Sequence, residues 1–231
     1  MKNITWRIIM LKEYFDLLEA VKAQKNFKAV IFDMDGLVFD TERVFMEQLA
    51  VVMKEKGYTL TQDIYKQTLG TSGSKLANIM YSHYGEDYPF EECGHIAQER
   101  VCMVAETIGL TVKPQIMELL VMLKDKNIPC TIASSTNSGI IAKYLEHAGL
   151  TGYFSKITGG EMVKYSKPEP DIFLMACEKL KTAPHEALVL EDSENGVKAA
   201  AAAGIPVICI PDLKEPDRAV LKLASAVVRR K

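Results

Sequence analysis

No two cysteines in this sequence stand close enough to form a CxxC pair. The five that occur, Cys93, Cys102, Cys130, Cys177 and Cys209, are far apart, four in apolar or helical stretches and Cys93 in an acidic one. That pattern argues against a thiolate metal cage or a disulfide framework and fits reduced, mostly buried thiols in a cytoplasmic protein. No apolar run reaches the roughly 18 residues of a membrane-spanning helix. The N-terminal stretch "MKNITWRIIMLKEYFDLLEAVKAQKN" is interrupted by charges and has no small-residue cleavage site, so no signal peptide is expected. An excess of either charge is also missing. With 28 Lys and Arg against 30 Asp and Glu, the formal net charge is −2, and nothing global points to nucleic acid or an acidic membrane as partner. The four histidines, His83, His95, His147 and His185, are scattered through helical segments and form no zinc-type cluster.

What is present is an ordinary apolar share, 48% of 231 residues, enough for a sizeable core. The length suits one domain of roughly 150 residues plus an insertion. Four continuous apolar, β-branched runs stand out: "AVIF" before Asp33, "IPCTIA" before Ser134, "ALVL" before Glu191 and "IPVICI" before Pro211. Runs of that kind predict strands buried on both faces, hence a parallel sheet. Helical patterns separate them: "PQIMELLVMLKDKN", "SGIIAKYLEHAG" with Gly149 as its stop, "PDIFLMACEKL" opening on Pro170 and Asp171, and "ENGVKAAAAAG" ending at Gly204. The alternation breaks from about Glu42 to Gly109, where helical periodicity alone is found. The expected fold is therefore α/β, a Rossmann-like parallel-sheet core with an inserted all-helical cap domain. Its expected divisions are a core over residues 28–41 and 111–231, a cap over 42–110 with hinges near Phe39–Thr41 and Leu110–Val112, and an N-terminal helical extension over 1–27, read from helix-like spacing between Trp6 and Gln24.

The stretch "AVIFDMDGLVFD" carries the chemistry. Two carboxylates one residue apart, Asp33 and Asp35, come directly after a buried strand, where they repel each other and call for a cation. In open parallel sheets ligands bind beyond the carboxyl ends of the strands. Those ends carry Asp33 and Asp35, Ser134 and Ser135, and Glu191 and Asp192. Carboxylates and hydroxyls on one rim indicate a divalent cation held by oxygen, Mg²⁺ rather than zinc. Lys167, fixed in a loop before Pro168, supplies a positive charge for a phosphate. A calcium loop would want a ligand at position 37 and glycine at 38, where this sequence has Leu37 and Val38. The stretch "LGTSGSKLA" from Leu69 to Ala77 has its glycines too close for a phosphate loop and comes after no strand; it is read as a turn between cap helices, facing the substrate.

Taken in order, "VIFDMDG", "TIASS", "KPEPDIF" and "VLEDSENGV" resemble the four motifs of the haloacid dehalogenase superfamily of phosphotransferases, over nearly all the chain from Lys28 to about Ile210. The helical insertion after the first motif is similar to that of the helical-cap branch. The resemblance implies an Mg²⁺-dependent phosphatase of small phosphate monoesters, sugar or nucleoside phosphates, acting as a cytoplasmic monomer. It implies Asp33 as nucleophile and Asp35 as acid and base. Ser134, with Ser135 beside it, and Lys167 would bind phosphate. The metal would be held by Asp33, the Asp35 backbone carbonyl and Asp192, with Glu191 close behind. A phosphosugar mutase on the same scaffold is the nearest alternative, but the mutase has a histidine five residues after the aspartate of its "DT" pair, where this sequence has Phe45, and a cap-loop arginine that "GTSGSK" lacks. A phospho-accepting receiver domain combines similar residues at half the length, without the insertion. A dehalogenase would lack the second carboxylate.

Overall fold

The computed structural model describes residues 17–24, 26–69, 71 and 73–229. Its centre is a six-stranded, all-parallel sheet. In chain order the strands are β1 (Ala29–Phe32), β2 (Cys130–Ala133), β3 (Lys156–Thr158), β4 (Ala187–Glu191), β5 (Val207–Cys209) and β6 (Ala226–Val227). Their spatial order is β3-β2-β1-β4-β5-β6. The four apolar runs of the sequence are the four inner strands. Their residues alternate between two cores, as a pleated strand requires. Val30 and Phe32 enter one core with Leu119, Leu123 and Ile141. Ile31 enters the other with Ile172, Phe173 and Val197. The edge strands β3 and β6, three and two residues long, were not legible as apolar runs.

Between β1 and β2 lie α1 (Thr41–Glu55), α2 (Gln62–Thr68), α3 (Gly73–Tyr84), α4 (Phe90–Thr107) and α5 (Pro114–Asp125). The first four bury an apolar centre of their own that includes Leu49, Met53, Tyr65, Met80 and Ala97. The seven-residue α2 was not separately legible in the sequence. Later helices are α6 (Ser138–His147), α7 (Asp171–Leu180), α8 (Glu194–Ala202) and α9 (Arg218–Leu221). Their ends are set by side-chain chemistry. Asn137 and Ser193 cap α6 and α8 by accepting from the backbone N–H groups of Gly139 and Gly196, and Gly149 and Gly204 sit just past their last turns at positive φ. Of the N-terminal helix expected between Trp6 and Gln24, residues 17–23 are helical and bury Leu17 and Val21 in the core; residues 6–16 lie outside the described residues.

The chain leaves and re-enters the core side by side. Phe39 bridges Val112, and the Asp40 N–H donates to the Thr111 carbonyl at 3.4 Å. From β1 the chain builds outward to β2 and β3, then returns to the other side of β1 for β4, β5 and β6. That reversal opens a crevice at the carboxyl ends of β1, β2 and β4.

Candidate active site

Strand register fixes which groups meet. Phe32 pairs with both Ile132 and Leu190, so the next residue on each strand, Asp33, Ala133 and Glu191 respectively, stands abreast of the others. Lys167 reaches this row from the loop before α7. Its Nζ donates to Asp33 Oδ1 at 2.5 Å, to Glu191 Oε1 at 2.8 Å and to the Ala133 carbonyl at 3.2 Å. Glu191 Oε2 also accepts from the Ser193 N–H at 2.7 Å, at the start of α8, where exposed N–H groups favour negative charge. That approach needs Gly196, because a Cβ there would lie 1.7 Å from Glu191 Oε1.

Asp35 has a different environment. Its Oδ1 accepts from the Thr41 hydroxyl at 2.8 Å, and its Oδ2 from Ser134 at 3.0 Å and Thr136 at 2.7 Å. The Thr136 N–H in turn donates to Ser134 Oγ at 3.0 Å. Ser135 is exposed, and the hydroxyls on Asp35 are those of its neighbours on either side and of Thr41. Asp192 packs on the turn after β1. Gly36 has φ of +80°, and a Cβ there would lie 2.2 Å from Asp192 Oδ2, so glycine meets both a left-handed backbone and a close approach. The Gly36 carbonyl accepts from the buried Lys113 ammonium, which also pairs with Asp212 at 3.0 Å.

Thr41, Thr136, Lys113 and Asp212 were not singled out from sequence. Thr41 comes directly after Asp40 and Thr136 is two residues past Ser134, so proximity to the motifs was a usable signal. Lys113 lies in an unremarkable stretch of sequence, and its role depends on the paired connections that bring it under the turn.

The row is short of positive charge. Asp33, Glu191 and Asp192 offer oxygens that all lie within 4.8 Å of one another; Lys167 pairs directly with Asp33 and Glu191, and Lys113 opposes the rise at Asp192 from beneath the Gly36 turn. Burial pushes the Asp33 carboxyl up to about 8, with Lys167 opposing and Glu191 and Asp35 adding to the rise. Burial raises Asp192 as well, reinforced by Glu191 and Asp33. Burial would lower Lys167, but Asp33 and Glu191 override it and hold the ammonium above its usual range. Crowded carboxylates that all offer oxygen suit a hard divalent cation, and the donor set fits Mg²⁺.

Two cavities open on this rim. One, of about 220 Å³, is lined by Asp35, Thr41, Phe45, Gln98 and Thr136. The other, of about 230 Å³, lies between the loop after β5 and Leu69, Thr71 and Lys75 of the insert, with Asp192 and Asp212 in its wall. Glu42 lines both. Burial raises its carboxyl to about 7, with Asp35 and Asp212 adding to the rise and Lys113 opposing it. Among the described residues, no helix is long and apolar enough to cross a membrane.

The haloacid dehalogenase-like hydrolase family matches residues 30–210. The chain is 32% identical over 179 residues to a phosphorylated carbohydrates phosphatase of Thermotoga maritima, covering 77% of this chain and 82% of that protein. It is 32% identical over 199 residues to a probable pseudouridine-5′-phosphatase of Drosophila melanogaster, covering 84% and 85%. A crystal structure of a candidate β-phosphoglucomutase from Thermotoga maritima aligns with a TM-score of 0.72 at 32% identity, over 88% of this chain and 95% of that one. The family match runs from β1 through the helical insert to the end of β5, the part of the chain that builds the acidic rim, and this chain belongs to the haloacid dehalogenase-like hydrolases.

Proposed function

We propose that this chain is an Mg²⁺-dependent phosphatase of small phosphorylated metabolites, sugar or nucleoside phosphates, working as a monomer in the cytoplasm through an aspartyl-phosphate. The observation that carries this reading is the unlike surroundings of two neighbouring carboxylates. Asp33 is paired with an ammonium, whereas Asp35 accepts three hydroxyl hydrogen bonds. One is equipped to attack and the other to exchange a proton.

In the first step an Asp33 oxygen attacks phosphorus in line, the ester P–O bond breaks, and the leaving oxygen takes a proton from Asp35. In the second, Asp35 removes a proton from water. The water oxygen attacks phosphorus, the bond to Asp33 breaks, and inorganic phosphate leaves. Lys167 offsets charge on the phosphoryl oxygens. A protonated Asp35 has less acceptor capacity than a carboxylate, which frees the Ser134 hydroxyl for a phosphoryl oxygen, with Ser135 at the outer end of the same turn. Asp33, Asp192 and the Asp35 backbone carbonyl would hold Mg²⁺, with Glu191 behind them; when bound it neutralises charge developing on the phosphoryl group. The helices of residues 42–110 act as a cap over this site, keep bulk water out and contact the leaving group. The five free cysteines agree with a reducing compartment.

Water is the acceptor, rather than a sugar hydroxyl as in a mutase. Phe45 occupies the wall beside Asp35, and it can neither exchange a proton nor bind a second phosphate. A screen of phosphate monoesters with and without Mg²⁺ tests the reading, together with β-glucose 1-phosphate plus a bisphosphate primer. Free phosphate should appear in preference to glucose 6-phosphate. Isomerisation much faster than phosphate release would make the protein a mutase.

A further inference from the structure

A third cavity lies deeper in the helical insert and continues the one beside Asp35. The two share Glu42, Phe45 and Tyr65 in their walls. The deeper one measures about 220 Å³ and is closed by Leu49, Leu76, Met80, Phe90 and Gly94. Helical spacing explains why the two are in line. On α4, Phe90, Gly94, Gln98 and Val101 are separated by four, four and three residues and so share one face; the first two line the deep cavity and the last two the outer one. On α1, Glu42, Phe45 and Leu49 do the same at spacings of three and four.

Polarity changes along this line. The outer cavity offers Asp35, Thr41, Glu42, Gln98 and Thr136. The deep cavity is walled mainly by aliphatic and aromatic side chains, with Glu42, Tyr65, Thr68 and Thr71 carrying its polar groups; the Tyr65 hydroxyl donates to the Glu42 carbonyl. A polyol would leave hydroxyls unpaired against the apolar walls, at a real desolvation cost. A cavity of about 150 Å³ already holds benzene, so this one has room for a single six-membered ring with substituents. Apolar walls with a few polar groups are the usual make-up of a ring-binding pocket.

Building on the phosphatase reading, we propose that the leaving group is of nucleoside type: a hydroxylated segment lies past Glu42 and Gln98, and a planar ring of pyrimidine size is seated in the deep cavity between α1, α2, α3 and α4. The ring faces meet Phe45, Met80 and Phe90, and its polar edge meets Thr68, Thr71 or Glu42.

Uridine 5′-monophosphate and ribose 5-phosphate are matched probes, sharing the phosphorylated segment and differing in the ring. Their dissociation constants, measured by calorimetry with Mg²⁺ on Asp33→Asn, do not depend on turnover. The nucleotide should bind at least about tenfold tighter. Gly94→Leu fills the deep cavity; the position has an ordinary φ and open space around a built Cβ, and replacing glycine within a helix favours folding. Added to Asp33→Asn, it should bring the ratio of the two constants close to one, with Gly94→Ala intermediate and far-ultraviolet circular dichroism confirming the fold. Equal binding of the two probes, or a ratio that Gly94→Leu leaves in place, would overturn the proposal. Phosphate release by the unsubstituted protein is scored separately: tight, ring-dependent binding without release would remove the phosphatase reading and keep the ring site.

Discussion

Asp33 and Asp35 are two residues apart, yet their chemistry is set by groups far away in the chain. Lys167 arrives from 134 residues downstream, and Thr136 from 101. Replacing Asp33 by Asn keeps the shape and removes the charge, and Lys167 retains Glu191 as a partner at 2.8 Å. Asp33→Asn should therefore reduce phosphate release to background while the melting temperature in EDTA stays at or above that of the unsubstituted protein, since three crowded carboxylates become two. More than a few per cent of residual turnover would remove Asp33 as nucleophile. Glu42 gives a pH signature. Burial, with Asp35 and Asp212 adding, raises its carboxyl from 4.5 to about 7, so the folded protein holds this proton more tightly than the unfolded chain does. The resulting stability is fully present below pH 4.5 and is lost as pH climbs through about 7. Glu42→Gln stays neutral throughout. Thermal melts in EDTA should show the unsubstituted protein losing ground to Glu42→Gln across that window, and a gap that stays constant with pH would contradict the assignment.

At the scale of elements, three contacts among the described residues, besides the Thr41–Asp35 hydrogen bond, tie the helical insert to the core. The outgoing and returning connections pair through Phe39 and Val112. The α4–α6 contact carries the Glu106–Lys143 ion pair at 2.9 Å. The loop after β5 reaches over the rim, where Lys214 donates to the Leu69 carbonyl at 2.8 Å and Leu213 packs on the apolar centre of the insert. Lys113 stands where the first tie meets the site, holding the Gly36 carbonyl on one side and Asp212 on the other. Both charged side chains are nearly sealed from water, at 5% and 3% exposure. Removing one partner of a buried pair leaves the other charge undercompensated, a loss of about 3–5 kcal/mol. Lys113→Met should lower stability in urea unfolding by that order. Metal affinity should fall as well, because the Gly36 turn loses its tether beside Asp192. A change within about 0.5 kcal/mol, the size of an ordinary surface substitution, would show that the pair does not brace the turn.

For the whole molecule, the proposed metal site would couple binding to folding, because the carboxylates of the cluster stand at the carboxyl ends of β1 and β4, which the unfolded chain does not hold together. A cation that binds the folded protein alone adds about 2.7 kcal/mol at a hundred times its dissociation constant. Mg²⁺ should raise the melting temperature in a concentration-dependent way, EDTA should abolish both that rise and activity, and Asp192→Asn should need far more Mg²⁺ for the same shift. An Mg²⁺-independent melting curve with full activity in EDTA would sink the metal assignment.

The sequence by itself determined the inner sheet and the identity of the acidic residues. Strands buried on both faces are apolar at nearly every position, with Thr131 of β2 hydrogen-bonded to the Lys156 carbonyl, so β1, β2, β4 and β5 show as near-continuous runs, and the polar residues at the carboxyl end of each run stand at the crevice. Short edge strands carry no such demand. Lys156–Thr158 runs from exposed to buried and Ala226–Val227 is half-buried, so neither leaves a pattern to read. The seven-residue α2 is too short for its periodicity to stand apart from its neighbours. Tertiary structure decided the partnerships: Lys167 bridging Asp33 and Glu191, three hydroxyls converging on Asp35, Lys113 under the Gly36 turn, and two faces of α1 and α4 lining one path into the insert. Apart from Thr41, six residues from Asp35, those contacts join residues tens to more than a hundred positions apart. Burial and charge within one stretch of sequence are local properties, whereas which buried charge meets which depends on strand order and on where two connections cross.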